Sequence, residues 1–360
     1  MLRVLRKSLE ARIRTALDAT PLGGRRIQAR RARRSRRAGP APGAFVIALP
    51  DLTGARLRPV YLERRGRYAT VTSVKLLDPE TLVCASFLEK KLYLVRFDRA
   101  AGHHRILDEI ATTHRGIPVE TDLADVDASG ERIALSNFHH GSLGLYRRKG
   151  DRLAFDVDLD FGLSAKVHGV RFLDRDRIAV TVGSAPTGVR FFDLMSGRPS
   201  IHVDLPLKTQ DVVFVSEQEM IVLAVHGAPR RRRQQAYGSD VCRIRFDLAT
   251  GRSEIGPRRS FEDTHFDACV LHAGRLYLTD QRNDCVRILD PESFAPLGEI
   301  RGYDFPHGID IRFGQLAVSS YGSNSIDLRP IDGLTASAGD QASRRPTERS
   351  PWSEVRWTTR

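Results

Sequence analysis

Long apolar stretches are missing from the sequence, since no hydrophobic run approaches the roughly 18 residues that a membrane-spanning helix requires. Hydrophobic residues nevertheless account for 41% of the 360 residues, which is enough to bury a large core. These two properties exclude a helical membrane protein and predict a soluble globular one.

Cysteine is scarce, and its four positions are unpaired. Cys84, Cys242, Cys269 and Cys285 each stand alone in an apolar run, and no CxxC pair occurs. This spacing excludes a zinc ribbon and a disulfide framework. It predicts four small buried side chains, suited to a reducing compartment. The charged N-terminus also lacks the apolar centre of a secretory signal, so we expect a cytoplasmic protein, peripheral to a membrane if its basic N-terminus binds one.

Short enzyme motifs are missing as well. The sequence contains no GxSxG elbow, HExxH pair, P-loop or GxGxxG fingerprint. Their absence excludes the hydrolases, zinc proteases, nucleotidases and dinucleotide enzymes that depend on those motifs. We therefore favour a protein that is not an enzyme, without excluding catalysis by another arrangement.

The body of the chain, residues 41–340, has no excess of positive charge. The formal charge is +13, with +11 in residues 1–40 and +3 in residues 341–360, so residues 41–340 carry −1. Because the body is nearly neutral, the basic composition does not indicate a nucleic-acid-binding surface. We do not expect sequence-specific nucleic-acid binding.

What the body does contain is a recurring unit of four short strand-like segments. Each unit begins with a polar residue, and its third segment ends near Asp, as in residues 167–205. An insertion at residues 228–238 lengthens one interval. The six opening residues are Ser73, Asp122, His168, Gln210, His265 and His307, separated by 49, 46, 42, 55 and 42 residues.

Such units cannot bury a core singly, but they can when arranged radially as the blades of a β-propeller. No long segment within the repeats has apolar residues at helical spacing, which argues against a helical solenoid. The sequence therefore predicts an all-β fold, a six-bladed β-propeller over residues 44–333. Seven blades are the alternative.

The closing blade needs a strand from elsewhere, because the last unit supplies only three strands before Ile331. Residues 55–63 have the pattern of an outermost strand that would close the ring and remove an open sheet edge. Residues 45–51 also resemble a strand. The division of the closing blade therefore stays open between these two segments.

Two features of the repeats resemble a known family. The segment TDQRNDCVRILD from Thr279, and the His-Gly pairs at 168–169 and 307–308, are similar to NHL-type propeller repeats. The resemblance covers about residues 55–331. It implies a propeller but no single activity, because the family includes peptidyl-hydroxyglycine lyases, streptogramin lyases, gluconolactonase-like hydrolases and binding scaffolds.

In propellers of this kind, the entry to each first strand and the loop between the second and third strands open on one face. We therefore expect the opening residues and several loop residues to surround the mouth of the central channel. The predicted ligand-binding residues on this face are Asp122, His168, Gln210, His265, His307, His139, His140, Arg230, Arg231, Arg232 and Arg233.

Three interpretations of this ring are open. In the first, as in the similar lyases, His168, His265 and His307 bind a divalent metal such as Zn²⁺ or Ca²⁺, with Asp122 or water completing the shell. In the second, the ring and the arginine run bind an anionic ligand or a protein without chemistry. In the third, these side chains bond one blade to the next. We favour the second, a non-enzymatic scaffold, with a metal-dependent lyase or hydrolase as the alternative.

The chain ends are expected to lie outside the propeller. Residues 1–22 place leucines at helical spacing among arginines, which predicts an amphipathic basic helix, and residues 23–43 predict an Arg-rich flexible linker. This basic segment is suited to an anionic membrane surface or an acidic partner. Residues 334–360 predict a disordered tail that contains both tryptophans, residues typical of docking segments.

Overall fold

The computed structural model describes residues 45–48, 71–87, 89–138, 140–161, 166–184, 186–226, 238–321 and 323–331. Within this part of the chain, 26 strands form six four-stranded antiparallel sheets and one two-stranded sheet. The four-stranded sheets follow one another along the chain and are the blades of a propeller.

The strands are assigned to the blades in chain order. The first is β1 (Phe45–Ala48). Blade 1 contains β2 (Val71–Asp78), β3 (Thr81–Ser86), β4 (Lys91–Asp98) and β5 (His103–Ala111). A short hairpin of β6 (Thr113–His114) and β7 (Ile117–Pro118) follows. Blade 2 contains β8 (Ala124–Val126), β9 (Arg132–Asn137), β10 (Ser142–Lys149) and β11 (Arg152–Asp160). Blade 3 contains β12 (Val167–Phe172), β13 (Arg177–Val182), β14 (Gly188–Asp193) and β15 (Arg198–Asp204).

Blades 4 to 6 repeat this order. Blade 4 contains β16 (Lys208–Ser216), β17 (Glu219–His226), β18 (Gly238–Phe246) and β19 (Ser253–Glu262). Blade 5 contains β20 (Phe266–His272), β21 (Arg275–Asp280), β22 (Cys285–Leu289) and β23 (Pro296–Arg301). Blade 6 contains β24 (Pro306–Arg312), β25 (Gln315–Ser320) and β26 (Ser325–Pro330), with β1 as its fourth strand.

The ring is closed by pairing the first strand of the chain with the last. β1 runs antiparallel to β26, with Phe45 opposite Leu328 and Ile47 opposite Ile326. The prediction of six blades is confirmed. The outermost strand of the closing blade is β1, so the assignment of residues 55–63 to this position is corrected; those residues lie outside the described part of the chain.

The hydrophobic cores lie between adjacent blades. Each sheet buries apolar side chains on both faces, because side chains of a strand alternate between its two neighbouring sheets. Between blades 3 and 4, for example, the rings of Phe191 and Phe246 lie 5.1 Å apart. The four cysteines are free and buried, as predicted. Among the described residues, no helix is long and apolar enough to cross a bilayer.

The Asp at the end of the third strand has a structural role in the tight turn that follows. The carboxylate of Asp193 accepts the amides of Met195 at 2.9 Å and Ser196 at 2.8 Å, and Asp247 and Asp290 make the same kind of turn. Hydrogen bonding to these backbone amides is the main reason that the pKa of Asp193 is lowered. This recurring residue in the sequence therefore marks the turn into the outermost strand.

Hydroxyl groups of the second strands join blade 2 to blade 3, blade 3 to blade 4 and blade 5 to blade 6. Thr181 Oγ1 accepts the amide of Gly169 at 2.7 Å and donates to the carbonyl of Gln210, in the next blade, at 2.8 Å. Thr279 similarly donates to the carbonyl of His307 at 2.7 Å. At the His-Gly pairs, neighbouring inner strands lie very close together. The Cα of Gly169 or Gly308 packs directly on the backbone of the next inner strand, which leaves no room for a side chain.

Alanine at Gly169 or Gly308 is expected to destabilise the protein by about 2 kcal/mol, because the new methyl group must push two blades apart. A Cβ would lie 2.7 Å from Asp211 Cα at the first position and 2.8 Å from Ser73 Cα at the second. Urea unfolding measures the loss. The equivalent residue in blade 5 is Ala268, so Ala268→Gly is the matched control and changes stability by less than about 1 kcal/mol. Unchanged stability of the alanine variants would contradict the close approach.

Candidate functional site

In five of the six blades, a β-bulge at the start of the inner strand re-aims one side chain, and in blade 2 Asp122 takes the equivalent place just before β8. In β12, for example, the ladder register shifts between Val167 and Val170, and corresponding shifts occur in β2, β16, β20 and β24. Such bulges commonly direct a side chain toward a site. The residues at this position, which we call the mouth ring, are Thr72, Asp122, His168, Gln210, Asp267 and His307.

The mouth ring differs from the predicted set in two blades. In blade 1 the ring residue is Thr72 instead of Ser73, and in blade 5 it is Asp267 instead of His265. The other four predicted opening residues, Asp122, His168, Gln210 and His307, lie at this position. The face on which these inner strands begin is called the upper face below, and the opposite one the lower face.

His307 lies at the centre of a network that crosses this mouth. Its Nδ1 donates to the carbonyl of Thr72 at 2.7 Å. Its Nε2 lies 3.1 Å from Asp122 Oδ1 and 3.1 Å from Asp267 Oδ2. The ring of Tyr321 packs 4.3 Å from the imidazole. Both nitrogens of His307 therefore face buried acceptors, which favours the doubly protonated form.

Each of the two carboxylates also holds a second histidine. Asp122 Oδ2 accepts from His168 Nδ1 at 2.8 Å, and Asp267 Oδ1 lies 3.4 Å from His265 Nε2. The five residues thus form an alternating series, His168–Asp122–His307–Asp267–His265, which we call the histidine–carboxylate chain. It links blades 3, 2, 6 and 5 across the upper mouth.

The two outer imidazoles are the exposed ends of the histidine–carboxylate chain. The side chain of His168 is 13% exposed and that of His265 is 21% exposed, whereas the carboxylates between them are buried. Phe138 packs edge-on against His168 at 4.4 Å, and Lys166 Nζ lies 5.7 Å from the Phe138 ring. A cationic group therefore stands beside one of the two imidazoles that a ligand would meet.

Burial and charge act in opposite directions on these groups. Burial lowers the pKa of His307, but the neighbouring carboxylates of Asp267 and Asp122 outweigh it and raise the pKa to about 9. Burial raises the pKa of Asp122, but His307 and His168 outweigh it and hold this pKa well below its ordinary value. The pKa of Asp267 is lowered in the same way, mainly by His307. The buried residues of the histidine–carboxylate chain, Asp122, His307 and Asp267, are therefore ionised at neutral pH.

Charged side chains also fill the channel beneath the mouth ring. Lys75 Nζ lies 3.3 Å from Asp125 Oδ1 and 3.8 Å from Asp310 Oδ1. Arg171 pairs with Asp211 and donates to the carbonyl of Cys269 at 2.8 Å. The first group of contacts joins the inner strands of blades 1, 2 and 6, and the second joins those of blades 3, 4 and 5. The mouth ring is therefore a shallow site above a channel occupied by its own side chains.

The remaining predicted site residues are not part of the histidine–carboxylate chain. Gln210 is buried, and its Oε1 has no hydrogen-bond partner among the described residues. His140 packs against His114, with ring centroids 5.9 Å apart, beside the outer strand of blade 2. His139 and Arg230–Arg233 lie outside the described residues, so their place on this face stays a prediction.

The hydrogen bonds of the predicted metal ligands do not suit a three-histidine metal site. His307 offers no lone pair to a metal in this arrangement, because one nitrogen donates to a carbonyl and the other lies between two carboxylates. Among the described residues, no group of three or more His, Cys, Asp or Glu is arranged to hold a metal ion. The set His168, His265 and His307 does not fit a three-histidine site, and binding of Zn²⁺ or Ca²⁺ there stays an untested prediction.

The sequence analysis missed Asp267, and it placed Gln281 only within a loop on this face, without a contact. Gln281 Nε2 donates to Asp267 Oδ2 and so helps hold that carboxylate in place. A signal for Asp267 was available, because DACVL aligns with HGVRF and HGIDI when the small residue is used as the anchor. Gln281 had no such signal, since its contact depends on how the loop between β21 and β22 folds over the mouth.

Comparison with known proteins supports the fold alone. No family model matches the chain, and no curated protein matches it. The protein from Lactobacillus plantarum is similar in structure, with a TM-score of 0.52, 12% identity, and coverage of 69% of this chain and 77% of that one. The β-propeller domain of Myceliophteria thermophila Cps50 (Swd1) has a TM-score of 0.50, 11% identity and coverage of 72% and 84%.

Kuenenia stuttgartiensis hydrazine synthase is similar to the same degree, with a TM-score of 0.50, 13% identity, and coverage of 75% of this chain and 80% of that one. Identities this low carry no inference about activity or partners. The sheet topology shows that the chain is a six-bladed β-propeller, and the likeness to the β-propeller domain of Cps50 agrees with a propeller fold.

Proposed function

We propose that this protein is a non-enzymatic propeller scaffold that binds an anionic group, of a small ligand or of a protein partner, at the upper mouth. The observation that carries the proposal is the pair of partly exposed imidazoles, His168 and His265, each held by a buried carboxylate. An imidazole that donates one N–H to its carboxylate offers its other nitrogen as a donor only when it is doubly protonated; in that form the two imidazoles, with Lys166 nearby, suit carboxylate or phosphate oxygens.

The rigidity of this site supports a role in binding. Asp122 and Asp267 are buried, and both are tied to His307, so the outer imidazoles do not need to be ordered when a ligand arrives. A preorganised site loses less conformational entropy on binding. The arginine run at 230–233, predicted to lie on the same face, would add guanidinium groups. We also propose a relationship to NHL-type propellers, because the His-Gly pairs at 168–169 and 307–308 resemble their repeats.

A metal-dependent lyase or hydrolase is the second candidate. It is favoured by one observation, namely that His168 and His265 each contact a carboxylate, as metal-ligating histidines usually do. It is disfavoured by the bonds of His307, which leave the third predicted ligand unavailable. In such an enzyme the metal would polarise a carbonyl or activate water, and the two carboxylates would orient the imidazoles.

Replacing Lys166 and His168 together with alanine is expected to weaken binding of inorganic phosphate or succinate at low salt by about tenfold, because two donors to the anion are lost. Isothermal titration measures the affinity. The matched control is His103→Ala with Arg105→Ala, which removes one histidine and one cation from the exposed outer strand of blade 1. We expect wild-type affinity from this control.

Two results would contradict the proposal: no binding of either probe by the wild-type protein, or equal losses in the site variant and the control. Elemental analysis of the same preparations separates the two candidate functions. A stoichiometric transition metal that disappears when His168 and His265 are both replaced would favour the lyase or hydrolase.

A further inference from the structure

A second concave surface lies on the lower face, away from the mouth ring. It is a groove of about 1230 Å³ between blades 2 and 3, which we call the lower groove. Its walls are the turns at 127–132, 147–150 and 172–176, with Arg312 at the inner end and Met195 at the outer end. A volume of this size exceeds that of an ordinary small-molecule pocket and is suited to a segment of polypeptide.

The lower groove offers apolar contacts along its length. The guanidinium of Arg132 lies 5.7 Å from the centroid of the Phe172 ring, and Phe172 and Leu173 are both only partly buried. Met195 at the outer end is 82% exposed. Methionine adapts its shape to different partners and is common at peptide-binding surfaces. A bound segment would therefore cover apolar side chains that water now contacts.

The acidic side chains that line the groove are largely satisfied by fixed partners. Asp127 pairs with Arg132 at 3.1 Å, and Asp125 lies 3.3 Å from Lys75. Asp174 pairs with Arg177 and accepts two backbone amides. Because these carboxylates are neutralised locally, they contribute little repulsion toward an incoming acidic group.

The basic side chains of the groove are less satisfied. Lys149, Arg175 and Arg312 line it and form no ion pair with another described residue, whereas only Glu131 and Asp176 remain as unpaired acids. Arg312 donates only weakly, at 3.5 Å, to two main-chain carbonyls. Three unpaired cations against two unpaired acids leave the lower groove with an excess of one positive charge.

This chain's own ends do not complement that charge, since residues 1–40 carry +11 and residues 341–360 carry +3. We propose that the lower groove is a docking site for an acidic, extended segment of a partner protein, anchored by an apolar residue at Met195 and by carboxylates at Lys149 and Arg175. The lower groove is separate from the anion site at the upper mouth, so the two proposals stand or fall independently.

An array of fluorescent peptides, in which Asp and Glu flank a central Leu or Phe, tests the proposal with the full-length protein. Matched arrays replace the acids with Lys or with Gln. We expect binding of acidic peptides that weakens about tenfold in Lys149→Glu/Arg175→Glu, because two attractive contacts become repulsive. Met195→Ser, which removes the apolar contact, is expected to weaken binding without changing its dependence on salt.

The control is Arg245→Glu/Arg252→Glu, which makes the same change in net charge on the lower face of blade 4. This variant should bind the acidic peptides as the wild type does. The proposal is overturned if the control weakens binding as much as the groove variant, if the Lys or Gln arrays bind equally well, or if no acidic peptide binds at about 1 mM.

Discussion

A chain lacking residues 1–48 is expected to be at least about 5 kcal/mol less stable than a chain lacking residues 1–43, although they differ by five residues. The longer deletion removes β1, whose Ile47 is completely buried and whose Phe45 packs 6.2 Å from Phe97 of blade 1. It also leaves β26 as an open edge. Denaturant unfolding of the two truncated proteins measures the difference.

The shorter deletion is the control, because residues 1–43 precede the closing strand and are expected to contribute little to stability. Ile47→Ala in the full-length chain provides a second variant, with an expected loss of about 3 kcal/mol. Equal stability of the two truncated proteins would show that β1 does not close the ring. It would also return residues 55–63 to consideration as the closing strand.

Replacement of His307 by leucine is expected to cost about 4 kcal/mol, because it leaves two buried carboxylates without their shared cation. Asp122 and Asp267 each lie 3.1 Å from His307 Nε2. The triple variant His307→Leu/Asp122→Asn/Asp267→Asn should recover much of this loss, since no buried charge then lacks a partner. Urea unfolding at neutral pH measures all three stabilities.

The loss caused by His307→Leu should also depend on pH. The pKa of His307 is raised in the folded protein from its ordinary value of 6.5 to about 9, so folding favours the protonated form. Its stabilising contribution is therefore complete below pH 6.5 and disappears as the pH rises through about 9. The lowered pKa of Asp122 acts in the opposite sense: its contribution is complete above the ordinary 3.8 and is lost as the pH falls further.

The difference in stability between wild type and His307→Leu should thus be largest between pH 3.8 and 6.5 and should shrink toward alkaline pH. The measurements include a chelator, so that adventitious metal does not alter the titration. A difference that stays constant from pH 6 to pH 10 would contradict the ionised state of the histidine–carboxylate chain.

The repeat was readable in the sequence because each of its signals has a local cause. Asp193 and its equivalents are needed by a tight turn that they cap, and the glycines at 169 and 308 are needed where inner strands touch. The capped turn recurs in several blades and the glycine in blades 3 and 6, so together with the alternating strands they leave a period in the sequence. The six blades followed from that period, and it also predicted Asp122, His168, Gln210 and His307 as opening residues of their blades.

The closing strand and Asp267 were harder to place for physical reasons. Residues 45–51 and 55–63 both have strand-like composition, and only pairing with β26 distinguishes them, which is a contact between opposite ends of the chain. His265 follows Thr264 as Asp122 follows Thr121 and Gln210 follows Thr209, so the local pattern predicts His265 at this position. The register of β20 shows that the bulge carries Asp267, two positions further along the chain.

The sequence by itself determined the blade architecture, because short periodic strands recur in every blade and Asp-capped turns recur in several, and both are local requirements that leave a repeat in the sequence. The tertiary structure alone decided that carboxylates stand between the imidazoles of the mouth, that the channel below is filled by charge pairs, and that a groove opens on the lower face. Those arrangements depend on distances between side chains from different blades, and such distances are set only when the ring closes.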